Sequence, residues 1–296
     1  MRETVFRTND GQNLICVIWD NVKNPIGVVQ IIHGMDEHMR RYDRFAKYFN
    51  TNGYIVFGDD HRAHGKTAGD IKNIGRVGNT PDIFMATVND EIEILKYLKE
   101  KYKLPVFLFG HSYGSFITQR VMECTNLCTA GVCLSGSARY PIWLLKIGCM
   151  IAWIGMKLRG SNAPAKFLEH FSPIRGTHPD GGSKLTRDDG QVALHNADPM
   201  HAEYFSYGFY YSLFHNLIQI SYNVDCNMPI LIISGGSDLV SNNASLATAL
   251  YKTYQAHNME NLTIIIYPDA RHELLMEINY KDVQRDVLNF FNSVAR

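Results

Sequence analysis

The chain has 296 residues, 46% of them hydrophobic and 20% charged, and its 29 Lys plus Arg balance 29 Asp plus Glu. That composition excludes intrinsic disorder, and a formal charge of zero leaves no excess to draw the protein to nucleic-acid phosphates or anionic lipid. The length suffices for a large buried core, either as one big α/β domain or as two smaller ones.

Residues 1–9 lack the apolar run of a signal peptide. No apolar stretch approaches the roughly 20 residues of a spanning helix. The longest, residues 147–156, lies between Lys146 and Lys157. The six cysteines, Cys16, Cys124, Cys128, Cys133, Cys149 and Cys226, are scattered and lie mostly in apolar runs, which reads as reduced core thiols. These features point to a soluble, cytoplasmic protein.

In chain order, residues 14–19 read as a strand after the Asn9-Asp10-Gly11 turn. Residues 26–32 read as a strand buried on both faces. A helix follows at 42–50, a strand at 54–57, and a helix at 82–101 whose apolar stripe is Ile83, Val88, Ile92, Leu95 and Leu98. Then come a strand at 106–109, a helix at 115–124 and a strand at 130–134. From about residue 139 to 222 the pattern offers helices and loops but no convincing strand. The alternation resumes with a strand at 230–233, a helix at 243–257, a strand at 262–267 and a helix at 282–294. Strands alternating with helices predict a mostly parallel sheet flanked by helices. Residues 1–138 and 223–296 are expected to form that core, with 139–222 a helical cap inserted over one edge.

Gly110-His111-Ser112-Tyr113-Gly114 directly follows an apolar strand and directly opens a helix. Strand, sharp turn and helix form the setting that exposes a serine hydroxyl, so Ser112 is the candidate nucleophile. A serine nucleophile needs a general base, and the base needs an orienting acid. With the order serine, acid, histidine, His272 just past the last strand is the base. Asp238, in the glycine-rich turn after the preceding strand, is the acid. Asp269 is the rival acid and reads better as a turn residue after Pro268. The oxyanion donors are expected to be the backbone N–H groups of Tyr113, next after the nucleophile, and Met35, in the loop after the strand at 26–32. His33 and His38 read as turn residues with local hydrogen bonds. Asp59, Asp60, His61 and His64 lie close together, and a metal is conceivable there. A packing role with an Asp60–Arg62 pair is the better reading. In the cap, residues 142–156 are apolar nearly all round and 204–211 are rich in aromatics. Trp143, Ile147, Ile151, Tyr207 and Tyr211 are the candidate acyl-chain contacts, and Lys157 and Arg159 beside that helix suit a membrane surface.

The set of motifs resembles the α/β-hydrolases of the monoacylglycerol lipase and lysophospholipase-like group, also called serine aminopeptidase S33-type hydrolases. It rests on His33-Gly34-Met35-x-Glu37-His38 followed by Arg41-Tyr42, on Asp60-x-Arg62-x-His64-Gly65, on residues 110–114, on Gly236-Ser237-Asp238 and on His272-Glu273, and it spans essentially the whole chain. The resemblance implies the α/β-hydrolase fold and hydrolysis of an ester, of a monoacylglycerol or lysophospholipid above all, through an acyl-serine intermediate with no cofactor or metal. Alternatives are a short-chain carboxylesterase, an aminopeptidase using Glu37 or Glu203 to hold the substrate's amine, and a non-enzymatic ligand-binding protein on the same fold.

Overall fold

The structure is a computed structural model that describes residues 1–125, 127, 129–170 and 176–295. Its strands are β1 (Arg2–Arg7), β2 (Asn13–Trp19), β3 (Gly27–Ile32), β4 (Tyr54–Asp59), β5 (Val106–His111), β6 (Gly131–Ser135), β7 (Ile230–Gly235) and β8 (Leu262–Tyr267). They form one sheet in the order β1-β2-β4-β3-β5-β6-β7-β8. The β1–β2 and β2–β4 pairs are antiparallel, and the rest are parallel. Every residue of β3 to β7 is buried, which is why these segments are near-continuous apolar runs.

The first strand was not expected from the sequence. Arg2, Glu3 and Arg7 are exposed and only Thr4 and Phe6 are partly covered, because β1 is an edge strand aligned by its pairing with β2. Charges on such an edge discourage further pairing and mask the alternation.

The helices are α1 (Asp43–Thr51), α2 (Ile83–Tyr102), α3 (Tyr113–Cys124), α4 (Ile142–Arg159), α5 (Lys166–His170), α6 (Asp189–Ala197), α7 (Tyr207–Ile218), α8 (Ser245–Ala256) and α9 (Tyr280–Val294). Phe45 and Phe49 of α1 and Val283, Val287 and Phe291 of α9 cover one face of the sheet. The other face is covered by α2, α3 and α8 through residues such as Val88, Leu95, Ile117, Val121, Leu250 and Tyr254. Five described cysteines are unbonded. Only Cys16 and Cys133 are core residues, whereas Cys124 and Cys226 are exposed, which corrects the expectation of buried thiols. Cys128 lies outside the described residues. Among the described residues, no helix is long and apolar enough to cross a membrane.

Between β6 and β7 the chain runs through α4 to α7, with no named strand among the described residues. Asp82 anchors this segment to the core: it caps α2 by accepting from the Met85 N–H and also accepts from Ser212 and Asn216 of α7. Helices α4 and α7 pack together. A Cβ on Gly148 would lie 2.9 Å from the Phe214 ring, and one on Gly155 would strike the Tyr207 ring. Glycine therefore sets the helix separation. Gly155→Ala is expected to cost about 1–3 kcal/mol by overpacking, read as a lower urea midpoint at unchanged slope.

Candidate active site

Strand β5 ends at His111, and α3 starts at Tyr113, two residues earlier than the pattern suggested. Ser112 alone makes the turn, with φ +51 and ψ −117. That conformation costs a non-glycine residue about 1–3 kcal/mol and persists only where its surroundings enforce it. Here the enforcement is visible. The Ser112 N–H donates to Ser135 O at 2.9 Å, and Ser115 Oγ donates to Ser112 O at 2.6 Å. The flanking glycines let the helix close on the sheet: a Cβ on Gly110 would lie 2.7 Å from Gly114 O, and one on Gly114 would lie 2.5 Å from His33 O.

The loops after β7 and β8 are stitched to each other. Gly236 N–H donates to Tyr267 O at 2.7 Å, and Ser237 N–H to Ala270 O at 2.9 Å. This brings Asp238 against His272. His272 Nδ1 lies 3.1 Å from both Asp238 carboxylate oxygens, and Nε2 lies 2.8 Å from Ser112 Oγ. Asp238 Oδ1 also accepts from the Val240 N–H at 2.8 Å. All three residues are buried. Asp269, the rival acid, is an exposed turn residue.

Burial disfavours the charged imidazole, but the Asp238 carboxylate and its hydrogen bond, with Glu273 and Glu37, outweigh it and raise His272 above the ordinary 6.5. Burial would likewise raise the Asp238 carboxyl. The imidazole, the Val240 N–H and Ser241 outweigh it and hold Asp238 below the usual carboxylate range. His111, whose ring centroid is 4.9 Å from that of His272, is pushed down to about 4, chiefly by burial, and adds no charge near neutrality. The arrangement can pull a proton from Ser112 Oγ onto Nε2 while the carboxylate stabilises the resulting cation.

Met35 and Tyr113 share the lining of one cavity with Ser112. Among the described residues, neither backbone N–H donates to another protein atom. The loop carrying Met35 is held from below. Glu37 accepts from the Gly34 N–H, from Tyr42 Oη at 2.8 Å and from Arg41 at 3.0 Å, and Arg41 in turn forks onto Glu273 at 2.8 and 2.7 Å. This bridge ties the loop to the residue after His272. The charges were visible in the sequence, but nothing in their spacing announced the pairing.

Two cavities meet at Ser112. One, of about 500 Å³, is apolar and is lined by Leu144, Ile147, Ile151, Leu213, Phe214 and Leu217 among others. The other, of about 50 Å³, is polar and is lined by Glu37, His111, His195, His272 and Glu273 among others. Of the expected acyl contacts, Ile147 and Ile151 line the apolar cavity, and three do not. Trp143 points outward and is 65% exposed. Tyr207 is buried against Gly155. Tyr211 stacks on His215 beside an outer groove with Met150 and Trp153. The inner face of α7 is instead Tyr210, Leu213, Phe214 and Leu217, a helical 3-4 spacing that the aromatic-rich run concealed.

Other expectations are also corrected. His38 is not locally bonded: its Nε2 lies 2.7 Å from Asp198 Oδ2, beyond α6. Asp60 and Arg62 do not pair, because Asp60 takes Arg40 at 2.7 Å while Arg62 takes Asp90 at 2.6 Å and Asp10 at 2.8 Å. Among the described residues, the one group spaced to hold a metal ion is Asp59, His61 and Glu91, fully buried and lining neither cavity at Ser112. His61 Nδ1 faces both carboxylates, at 3.3 and 3.1 Å, and its Nε2 faces His33 O at 3.2 Å. Three acceptors around one ring are those of a cationic imidazole.

The profile of the family described as "Serine aminopeptidase, S33" matches residues 23–279. The chain is 27% identical over 283 residues to a "Monoglyceride lipase homolog" of Monkeypox virus, covering 94% of this chain and 92% of that protein. It is 24% identical to the "Monoglyceride lipase" of Mus musculus, covering 96% and 87%. Among solved structures it resembles a thermostable carboxyl esterase from Bacillus coagulans in complex with glycerol, with TM-score 0.84, 27% identity and coverage of 100% and 99%.

Labelling of Ser112 by a fluorophosphonate needs neutral His272. Its rate is therefore expected to fall as pH drops through a midpoint above 6.5. Asp238→Asn removes what raises that midpoint, so it should move the midpoint down and slow labelling about 10⁴-fold. A pH series of labelling rates on both proteins reads both effects.

Proposed function

The chain belongs to the serine aminopeptidase S33 family, and from that premise we propose that it hydrolyses carboxylic esters of single-chain lipids, monoacylglycerols first, through an acyl-Ser112 intermediate. The observation that carries the reading is an apolar cavity of about 500 Å³ ending on a serine hydroxyl 2.8 Å from a carboxylate-backed imidazole. Residues 139–222 act as the cap that supplies the outer wall of this cavity.

In the first half-reaction, His272 Nε2 takes the Ser112 proton as Oγ attacks the ester carbonyl. The carbonyl oxygen becomes an oxyanion held by the N–H groups of Met35 and Tyr113. Collapse breaks the bond to the alcohol, which leaves with the proton from His272. In the second half, water gives its proton to His272 and attacks the acyl group, and Ser112 recovers its proton as the fatty acid departs. Asp238 keeps the proton of the resting imidazole on Nδ1 and stabilises the cation formed in each half.

The acyl chain occupies the apolar cavity and the alcohol the small polar one. Among the described residues no lysine or arginine lines the polar cavity, and Arg41 behind it is already paired with Glu37 and Glu273, so no lining cation is there to hold a phosphate, which favours uncharged glycerol over a phosphate-bearing head group. The "Monoglyceride lipase" names of the two relatives and the glycerol named with the Bacillus coagulans esterase agree with this choice. The aminopeptidase reading loses its acid: Glu37 is committed to Gly34, Tyr42 and Arg41, and Glu203 is exposed and lines neither cavity. A cytoplasmic setting belongs to the same proposal, because exposed, unbonded Cys124 and Cys226 suit a reducing compartment.

A hydrolysis screen over monoacylglycerols, lysophospholipids, p-nitrophenyl esters and aminoacyl amides tests the proposal. Long-chain monoacylglycerols should lead, and Ser112→Ala should lose about 10⁶-fold in turnover. Leu213→Trp fills the cavity and should move the optimum to shorter chains. A short-chain optimum in the parent, or an active Ser112→Ala, would refute the reading.

The outer face of α4 extends the proposal to a lipid surface. Trp143, Met150, Trp153 and Leu158 are 65%, 55%, 48% and 79% exposed, with Lys146, Lys157 and Arg159 on the same helix. Trp143→Glu with Trp153→Glu is expected to cut hydrolysis of vesicle-borne monoacylglycerol severalfold while leaving a soluble short ester unaffected, as measured by paired assays on the two substrates.

A further inference from the structure

We infer that His33 is a positioning residue that aims the Met35 N–H at the oxyanion, and this inference rests on the acyl-serine reading of Ser112. His33 is fully buried behind the loop that carries Met35 and lines neither cavity at Ser112. Its Nε2 lies 3.0 Å from the His61 backbone nitrogen, which can only donate. Nε2 is therefore the bare nitrogen, and the proton of the neutral ring sits on Nδ1. Nδ1 lies 2.7 Å from Gly34 O and donates to it.

That carbonyl shares a planar peptide unit with the Met35 N–H. In a trans peptide the C=O and N–H point in opposite directions. Holding Gly34 O against His33 thus turns the Met35 N–H the other way, and among the described residues that N–H meets no protein acceptor. The peptide needs such a hold. Gly34 has no Cβ to restrict its torsions, so its peptide would otherwise turn over readily. A Cβ there would lie 2.8 Å from Glu37 Oε1 and 3.1 Å from the His111 ring, so a stiffer residue does not fit. Glu37 holds only the preceding peptide, through the Gly34 N–H.

The His33 ring is itself fixed. It stacks on His61 with centroids 3.8 Å apart and planes 17° apart. His61 is anchored through Nδ1 by Asp59 and Glu91, and Gln30 Nε2 donates to Glu91 at 2.6 Å. The buried polar group thus acts as a support: Asp59 and Glu91 hold His61, His61 orients His33, and His33 sets the peptide before Met35.

Two substitutions separate the ring's two nitrogens. His33→Asn keeps a donor near the Nδ1 position and can still reach Gly34 O. His33→Gln extends to the Nε2 position, keeps an acceptor for the His61 N–H and loses the donor to Gly34 O. On a soluble p-nitrophenyl ester, His33→Gln is expected to lose about 10²-fold in kcat, the effect of losing one oxyanion donor, with KM unchanged. His33→Asn should stay within about tenfold of the parent. A boronic acid that forms a tetrahedral adduct on Ser112 should bind His33→Gln more weakly by a similar factor. Equal kcat losses in the two variants, a loss confined to KM, or unchanged boronate affinity in His33→Gln would overturn the inference. ¹⁵N-histidine NMR of the parent, with the His33 signals identified by their loss in His33→Asn, needs no folded glutamine variant. It should show the Nδ1–H tautomer, and an Nε2–H or doubly protonated His33 would refute it. An active Ser112→Ala would bring down the acyl-serine reading. An inactive Ser112→Ala beside a parent-like His33→Gln would bring down this inference alone.

Discussion

Everything at the site depends on how closely α3 approaches β3 and β5. Glycine at 110 and 114 permits that approach, and it forces Ser112 into a left-handed turn that neither the strand nor the helix would choose. The strain is offset by the bonds that clamp the turn, from Ser112 N–H to Ser135 O and from Ser115 to Ser112 O. The hydroxyl is left standing at the C-terminal edge of the sheet. Because β7 and β8 run parallel to β5, their loops emerge at the same edge and can deliver an acid and a base from elsewhere in the chain.

The two sides of Ser112 are built on opposite principles. Below and to one side lies a dense polar framework of Glu37, Arg41, Tyr42 and Glu273, with the His33–His61–Asp59–Glu91 group behind it. Buried hydrogen bonds between charged groups tolerate little displacement, and here they tie the loop that carries Met35 to the residue after His272. On the other side α4 and α7 enclose an apolar cavity. Apolar walls keep the local dielectric low and so strengthen the electrostatic effect of hydrogen-bond donors beside them.

How much of this was legible in the sequence follows from the range of each interaction. Strands β3 to β7 are covered on both faces, so their apolar runs stood out; edge strand β1, only partly covered on one face through Thr4 and Phe6, did not. Helix α3 starts at Tyr113 rather than Ser115 because tertiary clamping overrides the glycine in its first turn. Between β6 and β7, Ile147 and Ile151 of the apolar helix α4 do face the cavity, while Tyr207 and Tyr211 lie on the neighbouring stripe of α7. A helix that is apolar nearly all round does not reveal which stripe faces inward until its partner is placed, and Gly148 and Gly155 decide where that partner sits.

The order of elements, the glycines around Ser112 and the residues available as acid and base are local facts, written in the string because each depends on a few adjacent residues. The pairing of Arg41 with Glu273, of His38 with Asp198 and of His61 with Glu91 joins positions far apart. So does the choice between Asp238 and Asp269. A carboxylate three residues before its histidine is exposed, and one 34 residues earlier is in contact, because β7 and β8 lie side by side and their loops are stitched together. Such choices rest on which backbones become neighbours, and that is settled when the sheet closes and the helices dock on it.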